Sequence, residues 1–296
     1  MIVDMFEAWP ITLFGVVVLL GLVVGSFLNV VAYRLPIMME LAWRAQRAEV
    51  DTDAVPVPEH AHKGRFDLAW PPSTCPSCGQ RIAPIHNVPV LSYLALRGRC
   101  AGCGHRISLR YPFVEAAAAI LGLAVAYTFG PTWQTLAALG FTWSLLALTL
   151  IDLDHQLLPD SITLPLLWAG LVLAAFPIGD KALFTDLHSS VVGAAAGYVS
   201  LWAVYQLFKL ITGKEGMGYG DFKLLAAIGA WVGWQKLPLV ILLSAAVGSV
   251  VGIALIVGGR SRHVPIPFGP YLAAAGWIAL VFGEPLMRLY GQLFFR

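Results

Sequence analysis

Charge is scarce in this sequence. Of 296 residues, 19 are Lys or Arg and 17 are Asp or Glu, 12% in all, where a soluble domain carries about 25%. That shortage excludes an ordinary cytosolic enzyme, and a hydrophobic content of 58% excludes a disordered chain. Four cysteines are too few for a disulfide-stapled secreted module. A formal net charge of +2 makes no case for nucleic acid as the main partner. Also missing is a basic n-region: the first ten residues hold Asp4 and Glu7 but no Lys or Arg. The apolar run that follows is longer than a signal-peptide core, so the first span reads as a retained anchor. No internal repeat is visible.

What the sequence does have is long apolar runs. A spanning helix needs about 20 mostly apolar residues, because every backbone polar group must be satisfied inside the hydrocarbon. Eight candidates follow in order: 11–32, 113–129, 133–151, 162–178, 188–211, 222–234, 237–257 and 268–282. The expected fold is an all-α polytopic membrane protein of about eight transmembrane helices. A small cytoplasmic, zinc-ribbon-like domain sits between the first and second. The expected division is 1–33 for the first transmembrane helix, 34–111 for the cytoplasmic domain and 112–296 for a seven-helix membrane domain.

Basic residues orient the chain. Ten of them fall between Arg34 and Arg110; placing that insert in the cytoplasm puts 15 of the 19 inside, including Lys209, Lys214, Lys223, Arg260 and Arg262. Only Lys181, Lys236, Arg288 and Arg296 remain outside. Both termini are therefore expected on the periplasmic side. The Gly193/Gly197 and Gly248/Gly252 pairs have the small-xxx-small spacing of close helix packing.

All four cysteines lie in the insert, as Cys75-Pro76-Ser77-Cys78 and Cys100-Ala101-Gly102-Cys103, with 21 residues between the pairs. Two C-x2-C knuckles at this separation are the pattern of a zinc ribbon, four thiolates around one Zn²⁺. Such a closed site leaves no position for water, so the metal is structural. Two disulfides or free thiols are the alternative, and a cytoplasmic location disfavours disulfides. His86 and His105 lie nearby, but four thiolates already fill the shell. Residues 48–67, with Pro56, Pro58 and mixed charges, read as a linker.

Two acidic segments adjoin apolar spans at the inner face: Ile151-Asp152-Leu153-Asp154 with Asp160 downstream, and Gly216-Met217-Gly218-Tyr219-Gly220-Asp221. Ionisable groups there are functional candidates by default. Of two close carboxylates, one keeps a proton while the other activates water for attack on an amide carbonyl. Gly216, Gly218 and Gly220 are expected to allow positive φ and close approach of a substrate backbone. Capping of the following helices is the competing role for Asp160 and Asp221. The residues alone leave Asp152 and Asp154 equally eligible.

The ordered motifs identify a family. Gly25-Ser26-Phe27-Leu28-Asn29 leads to Arg34-Leu35-Pro36, then come the cysteines with Asn87-Val88-Pro89-Val90 and Arg97-Gly98-Arg99 between them. Glu115, Ile151-Asp152, Leu158-Pro159-Asp160, Gly218-Tyr219-Gly220-Asp221 and Pro267-Phe268-Gly269-Pro270 complete the set. Nearly the whole chain resembles the type IV prepilin peptidases, membrane aspartic proteases of the GxGD type in the bacterial inner membrane. The resemblance implies an aspartic endopeptidase with Asp152 and Asp221 as the catalytic pair, and Gly218, Tyr219 and Gly220 as the loop met by substrate. It implies cleavage of type IV prepilins and type II secretion pseudopilins at the cytoplasmic face. It also implies N-methylation of the new terminus with S-adenosylmethionine, for which Gly98 is the expected cofactor-side residue. Glu40, Glu49, Asp51, Asp53, Glu59 and Asp67 are candidates for attracting a basic leader, although a solvated face explains most of them. An ion-coupled transporter using the two aspartates as proton relays, and a zinc-ribbon scaffold without chemistry, are the competing classes.

Overall fold

The structure is a computed structural model that describes residues 10–50, 65–177, 182–259 and 266–294. It is helical, and its long helices follow the expected order. They are α1 (Pro10–Val50), a short α2 (Leu91–Ala95), α3 (Arg110–Phe129), α4 (Trp133–His155), α5 (Asp160–Ala175), α6 (Leu187–Thr212), α7 (Tyr219–Val232), α8 (Leu237–Val257) and α9 (Gly269–Phe294). Six are long and apolar enough to cross a bilayer. The exceptions among the eight expected spans are α5, with 16 residues, and α7, with 14. The chain divides into two compact units, Ala8–Leu123 and Ala124–Arg296.

In the first unit, α1 does not stop where its apolar run ends at Tyr33 and Arg34. It continues through Pro36 to Val50. Pro36 removes one intrahelical hydrogen bond, but Met, Glu, Leu, Ala, Arg and Gln then follow, all good helix formers. Hydropathy reports the membrane boundary, while propensity reports the helix boundary, and here they differ by four turns. Gly21 and Gly25 let α1 lie against α3: a Cβ on either would come within 2.6 Å of the Cα of Ala119 or Glu115. Asn29 Nδ2 donates to the carbonyls of Gly25 and Tyr111 across the same seam. Arg34, buried beneath Phe66, donates to the carbonyls of Asp67 and Pro71 and so ties the start of the insert to α1.

In the second unit, α7 is buried at Asp221 and Phe222 and again from Leu224 to Val232, with only half-buried Lys223 between them, as a helix largely enclosed by others should be. It packs against α6, α5 and α9. A 14-residue helix is ~21 Å long, too short for a hydrocarbon core of ~30 Å, so its ends must be shielded by protein. Contact with α6 is backbone to backbone. A Cβ on Gly193 would sit 2.3 Å from the Gly229 carbonyl oxygen, and one on Gly197 would sit 2.6 Å from that of Leu225. The packing role expected for this glycine pair holds. That for Gly248 is looser, since its nearest neighbour is the Tyr271 ring at 3.2 Å. Trp231 closes the α5 side with a 2.7 Å bond from Nε1 to the Leu166 carbonyl.

Of the acidic residues proposed to meet a basic leader, Asp51, Asp53 and Glu59 lie outside the described residues, as does most of the 48–67 segment. Glu40 is paired with Arg44. Asp67 is paired with Arg65 and accepts the N–H groups of Ala69 and Trp70. Arg65 and those two amides hold its carboxyl below the usual range.

Candidate active site

The cysteines come together. Their four sulfurs lie within 4.8 Å of one another, making a cluster that can hold a metal ion. Each knuckle is closed the same way. The N–H of Cys75 donates to the Gln80 carbonyl and that of Gly79 to the Cys75 carbonyl; Cys100 with His105, and Gly104 with Cys100, repeat the pattern. The bridges Thr74–Arg81 and Arg99–Arg106 brace the bases of the two loops. Gly79 and Gly104, at φ 68° and 71°, make turns that L side chains resist. Cys75 Sγ and Cys103 Sγ are 3.8 Å apart. Two thiolates at about 2.3 Å from a tetrahedral centre stand about 3.8 Å from each other, so the donor set suits such an ion. The N–H groups of Cys78 and Ser77 also bear on the Cys75 sulfur and pull its thiol down. All four thiols are unbridged, which answers the disulfide alternative.

Gly98 lies in this insert at φ 67°, directly after Arg97 at φ 51°. Its N–H donates to the Tyr93 carbonyl, and its own carbonyl accepts from Ile107. A Cβ there would meet the Tyr93 hydroxyl at 2.7 Å. Turn and packing thus account for the glycine without reference to any ligand.

The aspartates lie in the second unit. Asp152 occupies the last turn of α4 and is 5% exposed; Asp221 occupies the first turn of α7 and is 8% exposed. The Asp152 carboxylate receives a main-chain N–H, Gly269 donating to Oδ2 at 3.0 Å, while the N–H of Asp221 itself donates to the Gly218 carbonyl at 3.2 Å. Asp154, two residues after Asp152, points out to an exposed face of the helix. With 3.6 residues per turn, positions two apart cannot share a face, so burial separates the two candidates that spacing left level.

Three expectations need correction. Asp160 does not cap α5; Pro159 holds the cap position, and the Asp160 carboxylate instead pairs with Lys223 Nζ of α7 at 2.7 Å. Asp221 does not cap α7 either. Gly218 is the cap residue, and Asp221, three residues on, donates its own N–H to the Gly218 carbonyl at 3.2 Å. Finally, Gly216, Gly218 and Gly220 do not need positive φ, which this segment shows only at Gly213, φ 69°. Two of the three are packing glycines. A Cβ on Gly216 would strike the Phe208 ring at 2.7 Å, and one on Gly220 would strike Leu158 at 2.8 Å. Gly218 alone lies open, with its nearest neighbour the Asp221 carboxylate at 3.8 Å. Tyr219, half exposed, leans on Tyr205 and Phe222.

Residue reasoning had given no role to Gly269, Leu158 or Glu115. Glu115 is buried in the first unit and accepts the N–H of Val90 at 2.7 Å. Val90 stands at φ 58°, unusual for a β-branched residue. All three belong to the ordered motifs that carry the family resemblance, which marks the positions without revealing the partners.

A multi-pass membrane protein with two buried aspartates at helix ends and a four-cysteine cluster is a narrow class. Comparison with known proteins resolves it. The profile of the Bacterial Peptidase A24 N-terminal domain matches residues 19–129, and that of the Type IV leader peptidase family matches residues 139–253. The chain is 55% identical over 275 residues to a prepilin leader peptidase/N-methyltransferase of Pseudomonas putida, covering 93% of this chain and 92% of that one. It is 52% identical over 292 residues to the protein of that name from Pseudomonas aeruginosa, and 53% over 293 residues to that from Aeromonas hydrophila, with 98% of each chain covered. No solved structure matches the chain. The chain belongs to the type IV leader peptidase family.

Proposed function

We propose that this protein removes the leader peptide from type IV prepilins and type II secretion pseudopilins and then N-methylates the new terminus. The observation that carries the protease half is the burial of Asp152 and Asp221 at helix ends, with the Asp152 carboxylate oriented by the Gly269 N–H. Between two such carboxylates a water has both a base and an acid. The ionised partner takes its proton as it attacks the scissile carbonyl, and the protonated partner donates to the carbonyl oxygen. Collapse of the tetrahedral species returns a proton to the leaving amine. Gly218, the open residue of Gly218-Tyr219-Gly220, offers a bare backbone edge where the substrate strand can lie close. The orientation inferred from Lys and Arg, with both termini periplasmic, puts this chemistry at the cytoplasmic face of the inner membrane. A proton-relay transporter finds no support here, because both carboxylates sit at helix ends rather than on broken helices at mid-span.

The four thiolates of Cys75, Cys78, Cys100 and Cys103 fit Zn²⁺ in a structural role. The methyl donor we assign is S-adenosylmethionine, which when bound supplies an electrophilic methyl group on its sulfonium. Gly98 keeps the Arg97–Gly98 turn of the insert in shape for that half of the reaction. Gly98→Ala forces a Cβ into an unfavourable φ and against Tyr93, an expected strain of about 1 kcal/mol or more. Methyl transfer to a pre-cleaved pilin should then fall, while leader cleavage, carried by residues of the other unit, stays close to wild type. Parallel assays of the two activities on one preparation read this out.

The test of the whole reading is direct. Purified protein in detergent receives a synthetic prepilin and S-adenosylmethionine, and mass spectrometry follows the pilin. Loss of the leader and a gain of one methyl group are expected. A prepilin that stays intact under conditions where a known family member cuts it would sink the proposal.

A further inference from the structure

Gly269 opens α9, 117 residues after Asp152, and its position at that helix end is unusual. Tyr271 and Leu272 already donate to the Phe268 carbonyl, and Pro270 has no N–H. The Gly269 amide is therefore the unused donor of this helix start, at the positive end of its dipole. It donates to Asp152 Oδ2 at 3.0 Å in a buried bond. A Cβ at this residue would lie 2.6 Å from the same oxygen and 3.1 Å from Cδ2 of Leu158. Only glycine brings its amide to the carboxylate without displacing it.

Leu158 connects this contact to the other aspartate. Its side chain is buried against Gly269 on one side and, on the other, against Gly220, the residue before Asp221. A side chain on either glycine would push on the leucine between them.

We propose that Gly269 is a positioning residue for cleavage. Its N–H fixes the rotamer of Asp152, and Leu158 holds that pair in register with Gly220 and Asp221. The proposal rests on the assignment of Asp152 and Asp221 as the catalytic pair. It differs from a packing role in what a methyl group should do. The atom nearest the new Cβ is the end of a side chain that can swing, so Gly269→Ala should fold and misplace the carboxylate rather than break the helix.

The experiment measures prepilin cleavage by wild type, Gly269→Ala, Leu158→Ala and the double variant, with Asp152→Asn and Asp221→Asn alongside. Gly269→Ala should lower kcat about a hundred-fold, the scale of a displacement of about 1 Å at a reacting group. KM should stay near wild type, as expected when only the transition state loses an interaction. Its thermal midpoint in detergent should move by only a few degrees. Leu158→Ala removes the leucine contact but leaves the clash with Asp152, so it should not restore the double variant. Near-wild-type kcat in Gly269→Ala, recovery in the double variant, or loss of cooperative unfolding together with activity would each overturn the positioning role. If the two Asn variants also cleave, the catalytic assignment itself has failed. If they are silent while Gly269→Ala is active, only this inference has.

Discussion

Asp152→Asn and Asp221→Asn should each lower prepilin cleavage by at least about a thousand-fold, with the protein still folded and in the membrane. Asparagine has the shape of aspartate and at position 152 can still accept the N–H of Gly269, so the scaffold around each position is kept. What it cannot do is take a proton from water or lend one to a carbonyl. With one partner gone the other has no charge to share, and a single carboxylate must act as both acid and base. Loss of about 4 kcal/mol of transition-state stabilisation corresponds to that thousand-fold effect. Asp154→Asn, on the exposed face two residues away, should retain cleavage near wild type. Initial rates on a synthetic prepilin, at equal enzyme concentration checked by quantitative blotting, give the comparison. Cleavage surviving in both Asn variants would reopen the scaffold and transporter classes.

The second large effect concerns the thiolate cluster. Metal analysis of purified protein should find one zinc per chain, and replacing any one of Cys75, Cys78, Cys100 or Cys103 by Ser should remove most of it. Among the described residues the insert from Phe66 to Ser108 has almost no regular structure beyond two isolated bridges, a 3-10 turn and the five residues of α2. Such a segment cannot bury enough apolar surface to hold itself, so metal binding must supply the difference; structural zinc sites contribute on the order of 10 kcal/mol. Stripping the metal with a strong chelator should expose residues 75–103 to proteolysis and reduce methyl transfer, and added zinc should restore both. An insert that resists protease equally well without metal would show that the cluster has no structural role.

Much of this architecture was legible in the residues because membrane helices announce themselves. Eight apolar runs became eight helices, since hydrocarbon allows few alternatives to intrahelical hydrogen bonding. The cysteines were equally plain, since C-x2-C spacing is a local property of one turn. Contacts made across the fold were not readable. That Asp160 meets Lys223, 63 residues on, depends on how α5 lies against α7. Gly220 could be read as a conformational glycine, but its reason is Leu158, which spacing does not disclose. Spacing left Asp152 and Asp154 level and the family resemblance chose Asp152; what the residues did not disclose is that α4 buries Asp152 and leaves Asp154 exposed. The end of α1 was misplaced for a different reason: the apolar run and the helix stop at different residues, and hydropathy marks only the first.

The brevity of α7 bears on how the protein is made. The translocon recognises segments long and apolar enough to partition into lipid on their own, and a 14-residue stretch with Asp221 in its first turn is a poor candidate for that test. Its neighbour α6 must already be in place, because the Gly193–Gly229 approach is what receives it. The segment bearing Asp221 is therefore expected to enter the bilayer packed against α6 rather than on its own apolarity. A nascent chain halted before α7 can be threaded correctly and yet remain an incomplete protease. If Asp152 and Asp221 act as the proposed pair, cleavage is expected only from chains in which α7 has been delivered.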